Sequence, residues 1–286
     1  MRENAATARK FRPEQAFLKA PILECLSFKV YHTAPLLSSP GEADSFRAGP
    51  KAATEGSRLL RAIIFDFDGV LVDSEPVILQ LTQQMAAEEG WTVTPEEYYR
   101  DYLALDDRGI VENLYQTHGR PLDPARRDEL LAWKSRAYQE IIQEGLPVFP
   151  GAVEFVRQAA QLYPLAIASG SLRSEIEHLL GKIGLRSAFK VVVTAEDCQR
   201  SKPDPEVFLK TLAALEQLPE FDPKKLRASE CLAIEDAPGG ILAAHKAGIP
   251  CLALAHTRPP EELSKADWVF RGFAEVNLDK IAPEFH

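Results

Sequence analysis

No apolar run in this chain of 286 residues approaches the roughly 18 residues that a membrane-spanning helix requires. Cysteine is sparse: Cys25, Cys198, Cys231 and Cys251 lie far apart, with no CxxC pair and no paired histidines at metal-ligand spacing. That argues against a disulfide framework and a zinc site, and leaves reduced or incidental thiols in a cytoplasmic protein. Positive charge is in deficit, 33 Lys and Arg against 42 Asp and Glu, for a formal net charge of -9. This balance argues against a general nucleic-acid or acidic-membrane surface and leaves room only for a local basic patch. Internal repeats and low-complexity tracts are also missing.

What remains is an ordinary globular composition, 45% hydrophobic and 26% charged, long enough for one large or two modest domains. Residues 1–57 stand apart. They lack sustained periodicity and end in the Pro/Gly/Ser/Ala-rich run SSPGEADSFRAGPKAATEGS. Their basic residues alternate with Glu3, Glu14, Glu24 and Glu42, and no signal-peptide apolar core follows. We expect a disordered extension or linker that carries no chemistry.

From Arg61 onward, short apolar runs alternate with helical patterns. The runs at 61–66, 164–168, 189–194, 231–235 and 250–254 read as strands, with a weaker one at 267–270. Amphipathic helices are expected at 151–161, 172–183, 205–216 and 237–247. This alternation predicts an α/β protein with a doubly wound parallel sheet. The interval from Pro76 to Pro147 breaks the pattern. It holds helices near 76–89, 95–104, 107–118 and 124–144, closed by Gly90, Gly119 and Gly145, and no convincing strand. It reads as an all-helical cap (76–147) inserted into a core of 58–75 and 148–286.

Four stretches could carry chemistry. IIFDFDGVLVDSEP, residues 63–76, places Asp66, Asp68 and Asp73 directly after a buried-looking strand, and Gly69 permits a sharp turn. Asp-x-Asp alone is weak evidence, since a chain of this length holds about one by chance. SGS at 169–171 ends a strand and opens a helix, where backbone N–H groups and a hydroxyl favour an anion. KPDP at 202–205 puts Lys202 near a strand–helix junction, and IEDAPGG at 234–240 ends a strand in Glu235 and Asp236. Each stretch also has a bland reading: turn and cap aspartates, helix capping by Ser171 or Asp204, a solvated lysine.

Taken together they fall at the carboxyl ends of parallel strands or just beyond, on one edge of one sheet. Two carboxylates about 4 Å apart repel by roughly 4 kcal/mol at an effective dielectric near 20. Asp66, Asp68, Glu235 and Asp236 gathered there call for a cation. All-oxygen ligation beside a phosphate suits Mg²⁺, and Ser169 and Lys202 supply the donor and positive charge for a phosphoryl group.

In order, DFDGVLVDSEP, SGS, KPDP and IEDAPGG resemble the motifs of the haloacid dehalogenase superfamily, over residues 60 to 272. The helical insertion is similar to that of its phosphatase and beta-phosphoglucomutase branch. The resemblance implies a Rossmann-like core with a helical cap, and an aspartyl-phosphate formed on Asp66. Asp68 would be the general acid and base, Ser169 and Lys202 would hold the phosphoryl group, and Gly69 and Gly170 would lie against it. It implies Mg²⁺ on Asp66, the Asp68 backbone carbonyl and Asp236, with Glu235 as a direct or outer ligand. The implied partner is a small phosphorylated metabolite, such as a sugar phosphate, with no nucleic acid or membrane involved. In the cap, Leu130, Ala137, Tyr138 and Ile141 form an apolar stripe with Lys134 near its centre. Lys134 is read as a substrate-facing lysine, with snorkelling along the cap surface as the alternative, and Arg108 falls where relatives present substrate-binding residues. Sugar phosphomutases of the family carry a histidine where this chain has Ile78, so a phosphatase is expected ahead of a mutase or a non-catalytic phospholigand-binding protein.

Overall fold

A computed structural model describes residues 59–285 apart from 104 and 106. The expected N-terminal extension, with Cys25, lies outside the described residues. Six strands, β1 (Ala62–Phe65), β2 (Leu165–Ala168), β3 (Phe189–Val193), β4 (Cys231–Glu235), β5 (Cys251–Leu254) and β6 (Trp268–Phe270), form one sheet in the order β3-β2-β1-β4-β5-β6. Every pairing in it is parallel. Strands covered on both faces must be apolar on both, which is why AIIF, LAIA and CLAL read as unbroken hydrophobic runs, and all of their residues are buried.

Four helices follow β1 without an intervening strand among the described residues: α1 (Glu75–Glu88), α2 (Pro95–Asp101), α3 (Asp107–Thr117) and α4 (Pro124–Ile142). The remaining helices, α5 (Ala152–Leu162), α6 (Arg173–Lys182), α7 (Glu206–Leu215), α8 (Pro238–Lys246) and a short α9 (Leu278–Ile281), flank or follow the sheet. The short α9 has no counterpart in the sequence reading; a single turn carries too little periodicity to detect. None of the described helices is long and apolar enough to cross a membrane.

Local signals account for the helix boundaries. Thr94 accepts the Glu97 N–H at 3.2 Å while the Glu97 carboxylate accepts the Thr94 N–H at 2.9 Å, a reciprocal cap that starts α2 at Pro95. Asp123 accepts the Ala125 N–H at 2.7 Å and starts α4 at Pro124 in the same way. On α4 the buried residues are Leu130, Trp133, Lys134, Ala137 and Ile142. The expected stripe is therefore corrected at its end: Ile142 is fully buried, whereas Tyr138 and Ile141 are half-buried.

Alternation along each strand sends side chains to opposite faces of the sheet. Ile64, Ala166 and Ala233 join Phe208 and Leu215 of α7 and Ile241 and Ala244 of α8 in one buried cluster. Phe65, one residue on from Ile64, meets Phe155 and Phe189 edge-on, with ring centroids 6.1 and 5.7 Å away. The four-helix segment joins the sheet through two adjacent lengths of chain. Asp73 N–H donates to the Pro147 carbonyl at 2.8 Å, Phe149 N–H donates to the Leu71 carbonyl at 3.1 Å, and Val72 lies opposite Val148 in an antiparallel bridge. Departure and return thus share one neck. Beyond it α4 packs on α1 and α3 and also touches α6 of the layer over the sheet.

Candidate active site

The strand order reverses between β1 and β4, since β2 and β3 lie on one side of β1 while β4, β5 and β6 lie on the other. Parallel sheets bind ligands at such a point, beyond the carboxyl ends of the strands. Register brings the acids together there. Phe65 pairs with Ile234, and Asp66 N–H donates to the Ile234 carbonyl at 2.9 Å, so Asp66 lies beside Glu235 across the strand pair. Asp66, Glu235 and Asp236 each offer a carboxylate oxygen, and these oxygens lie within 4.8 Å of one another. Lys202 enters from the loop before α7. Its Nζ is 2.9 Å from Asp66 Oδ1 and 2.6 Å from Glu235 Oε1.

Two glycines make room for this crowd. A Cβ on Gly69, whose φ is +75°, would lie 2.1 Å from Asp236 Oδ2, and a Cβ on Gly240 would lie 2.0 Å from the Glu235 carboxyl. Only glycine allows the turn after Asp68 and the start of α8 to sit against those carboxylates.

Asp68 departs from the expected cluster of four acids. Its carboxylate accepts from the Ser171 hydroxyl, with a further hydrogen bond to Ser74, and is not one of the three converging groups. Ser171 does not cap the next helix as expected: that cap position is Leu172, and the Ser171 hydroxyl is given to Asp68 instead. Ser169 is buried, and its Oγ accepts the Ser171 N–H at 3.1 Å, while the Ser171 hydroxyl links SGS to Asp68. Gly170 between them is exposed. Asp204 Oδ1 accepts the Glu206 N–H at 3.0 Å, the bond expected of a capping aspartate, although the helix itself starts one residue later, with Pro205 at the cap position.

Burial dominates the electrostatics. It pushes the Glu235 carboxyl up to about 8, against the opposing pull of Lys202. Burial and the neighbouring Asp66 charge raise Asp236 to about 7, although a hydrogen bond from Thr257 works the other way. Asp68 is raised by burial and by Asp66, with Ser171 and Ser74 opposing. Burial disfavours the Lys202 cation, but Asp66 and Glu235 outweigh it and hold the proton on. Ionised together, three converging carboxylates against one lysine would leave an excess of buried negative charge, which is why the carboxyls of Glu235 and Asp236 are raised in the absence of a cation. An all-oxygen donor set with that charge fits a hard divalent cation, and the space kept free by Gly69 and Gly240 allows the carboxylates to face it.

The other anticipated residues sit in the four-helix segment. Lys134 is only 2% exposed, so it is not a surface-snorkelling lysine, and it is ion-paired with Asp107 at the start of α3. One turn further along α4, the Tyr138 hydroxyl bonds Ser74, and its acidity is affected first by burial and then by the charges of Asp68, Glu175 and Asp107. This face of α4 therefore looks toward Asp68. Arg108 is exposed, and its Nε donates to Glu112 Oε1 at 2.9 Å on the same helix.

A lysine and three converging acids at the switch point of a parallel α/β sheet mark a ligand-binding site. Residues 63–254 match the haloacid dehalogenase-like hydrolase family, and the chain belongs to it. It is 30% identical over 237 residues to validoxylamine A 7'-phosphate phosphatase of Streptomyces hygroscopicus subsp. limoneus, spanning 79% of this chain and 100% of that one. It is 30% identical over 196 residues to a phosphorylated carbohydrates phosphatase of Thermotoga maritima, spanning 66% of this chain and 82% of that one. The fold is also that of beta-phosphoglucomutase from Clostridium difficile, with a TM-score of 0.64, 20% identity, and coverage of 79% of this chain and 97% of the other.

Proposed function

We propose that this hydrolase is a Mg²⁺-dependent phosphatase acting on a small phosphorylated metabolite of the sugar-phosphate type, through an aspartyl-phosphate on Asp66. The observation that carries the reading is the convergence of Asp66, Glu235 and Asp236, with Lys202 bonded to both Asp66 and Glu235. The scattered thiols fit a cytoplasmic setting, and Cys198, Cys231 and Cys251 are free. The helical segment 76–147 is assigned as a cap over a core of 58–75 and 148–286.

In this mechanism an Asp66 carboxylate oxygen attacks phosphorus, and the bond from phosphorus to the leaving oxygen breaks. Asp68 gives its proton to that oxygen, a role suited to a carboxyl whose buried setting favours the protonated form. Asp68 then takes a proton from water as the water oxygen attacks phosphorus, which releases inorganic phosphate and restores Asp66. Ser169 and the Gly69 and Gly170 backbone would border the phosphoryl oxygens, while Lys202 stabilises the charge on them and on Asp66. Asp66, Asp236 and the Asp68 backbone carbonyl would hold Mg²⁺, with Glu235 as a direct or outer ligand that also pairs with Lys202, and the ion would supply charge neutralisation. Lys134 and Arg108 are assigned to the leaving group.

The test is inorganic phosphate release by the full chain from a panel of sugar phosphates and from p-nitrophenyl phosphate, with Mg²⁺ and with a chelator. Mg²⁺-dependent release is expected. Interconversion of sugar phosphate isomers without release would instead indicate a mutase, although Ile78 stands where the resembling mutases carry histidine. Binding without turnover would indicate a phospholigand-binding protein.

A further inference from the structure

The chain just beyond β5 touches three parts of the site through three consecutive residues. His256 packs its ring on Phe149, centroids 4.1 Å apart, and its Nδ1 lies 3.3 Å from the Gly69 carbonyl oxygen. Thr257 donates its hydroxyl to Asp236 Oδ2 at 2.6 Å. Arg258, with its side chain 16% exposed, donates from Nη2 to the Leu103 carbonyl at 3.4 Å and lies 3.4 Å from Glu262. Leu103 belongs to the turn after α2, 155 residues away in sequence. The Arg258 charge also acts on Asp236 and on Glu75, whose carboxylate accepts the Tyr98 hydroxyl of α2 at 2.8 Å.

We infer that residues 256–258 form a positioning loop, in which Thr257 orients the Asp236 carboxylate toward a divalent cation and Arg258 ties the same strand end to the turn after α2. The inference rests on the reading of Asp236 as a metal ligand. A carboxylate with one oxygen held by a short hydroxyl hydrogen bond has its plane fixed, and ligands fixed in this way bind metal more tightly than mobile ones. His256 packs between Phe149 and Phe273 and holds the Gly69 carbonyl, so the loop that presents Thr257 is anchored against the turn that follows Asp68. Arg258 extends the arrangement across the boundary between the sheet and the helical segment. Seating of that segment and orientation of Asp236 then depend on one short stretch of backbone.

The experiment is calorimetric titration of the full chain with Mg²⁺ alone. Thr257→Val keeps the side-chain volume and removes the donor; it is expected to weaken Mg²⁺ binding about 10–100-fold, while Thr257→Ser stays within about threefold of the parent. Unfolding temperatures of both variants, measured alongside, separate a loss of metal affinity from a loss of fold. Arg258→Met is expected to keep Mg²⁺ affinity within about twofold but to raise KM for a sugar phosphate about tenfold, as loss of a charged hydrogen bond implies. Mg²⁺ binding by Thr257→Val equal to that of a parent that binds well overturns the role of Thr257 and leaves the proposed phosphatase standing. An unchanged KM in Arg258→Met overturns the tie to the helical segment. A parent chain that binds no Mg²⁺ overturns both the inference and the function on which it rests.

Discussion

Charge is used differently at the carboxyl edge of the sheet and in the four-helix segment. At the sheet edge, Lys202, Glu235 and Asp66 are 15%, 1% and 14% exposed at their side chains, and the two ion pairs they form join positions 33 and 136 apart in sequence. In the helices, Arg100 pairs with Asp101 and Arg108 with Glu112, close neighbours with side chains 40% exposed or more. Exposed pairs of that kind contribute roughly 0–1 kcal/mol each, whereas removing one partner of a buried pair costs about 3–5 kcal/mol. The sheet edge thus holds a fixed arrangement that tolerates little change. The helical segment has a surface that can vary, with buried Lys134, paired to the exposed Asp107, and Glu89, its side chain 8% exposed and paired to Arg120 and Arg126, as exceptions. We read this as a division of labour: the edge performs the reaction, and the helices choose what reacts.

The sharpest way to break that division is to replace one carboxylate oxygen at the edge with an amide nitrogen. Asp66→Asn should lower turnover of every substrate by at least about 1000-fold while the fold persists, as expected for a nucleophile. Comparable hydrolysis by the variant, with unchanged circular dichroism, would take Asp66 out of that role.

A change in the helices should act on selection. Lys134→Ala should lower kcat/KM for a preferred sugar phosphate about tenfold more than for p-nitrophenyl phosphate, the scale set by losing a hydrogen bond from a charged group. Equal losses on both would deny the helical segment a part in choosing the substrate.

The smallest effect concerns stability. Without metal, burial holds the Glu235 carboxyl above the usual carboxylate range and raises Asp236 to about 7, whereas in the unfolded chain carboxyls lose their protons near pH 4. Between these limits the folded protein binds more protons than the unfolded one, so raising the pH lowers stability. In chelator, thermal unfolding should therefore fall from about pH 5 to about pH 8, with a smaller fall in Asp236→Asn, and Mg²⁺ should restore the loss. The same slope in parent and variant would remove Asp236 from the effect.

The same contrast governs what could be read from the sequence. All six strands and the eight longer helices were legible, because doubly covered strands leave unbroken apolar runs and because helical periodicity and the closing glycines Gly90, Gly119 and Gly145 bound the helices. The converging acids were legible because each follows such a run on a common edge. Ser74, Ser171, Tyr138, Thr257 and Arg258 were not. A single hydroxyl after a strand looks like any turn residue, and the bond from Ser171 to Asp68 joins positions 103 apart. For Thr257 a signal did exist, since it lies three residues past β5, at the same carboxyl edge as the strands that supplied the other site residues. Asp107 could not be matched to Lys134 either, because the pair depends on how α3 packs against α4, which helical period does not specify.

The central claim is that residues 170 positions apart meet around one divalent ion. Its most direct test is a crystal grown with Mn²⁺ as a substitute for Mg²⁺ and examined by anomalous scattering. The account predicts one strong peak bonded to carboxylate oxygens of both Asp66 and Asp236, with Lys202 close by but not bonded to it. A well-ordered crystal whose Mn²⁺ peaks all lie away from those two carboxylates would contradict it.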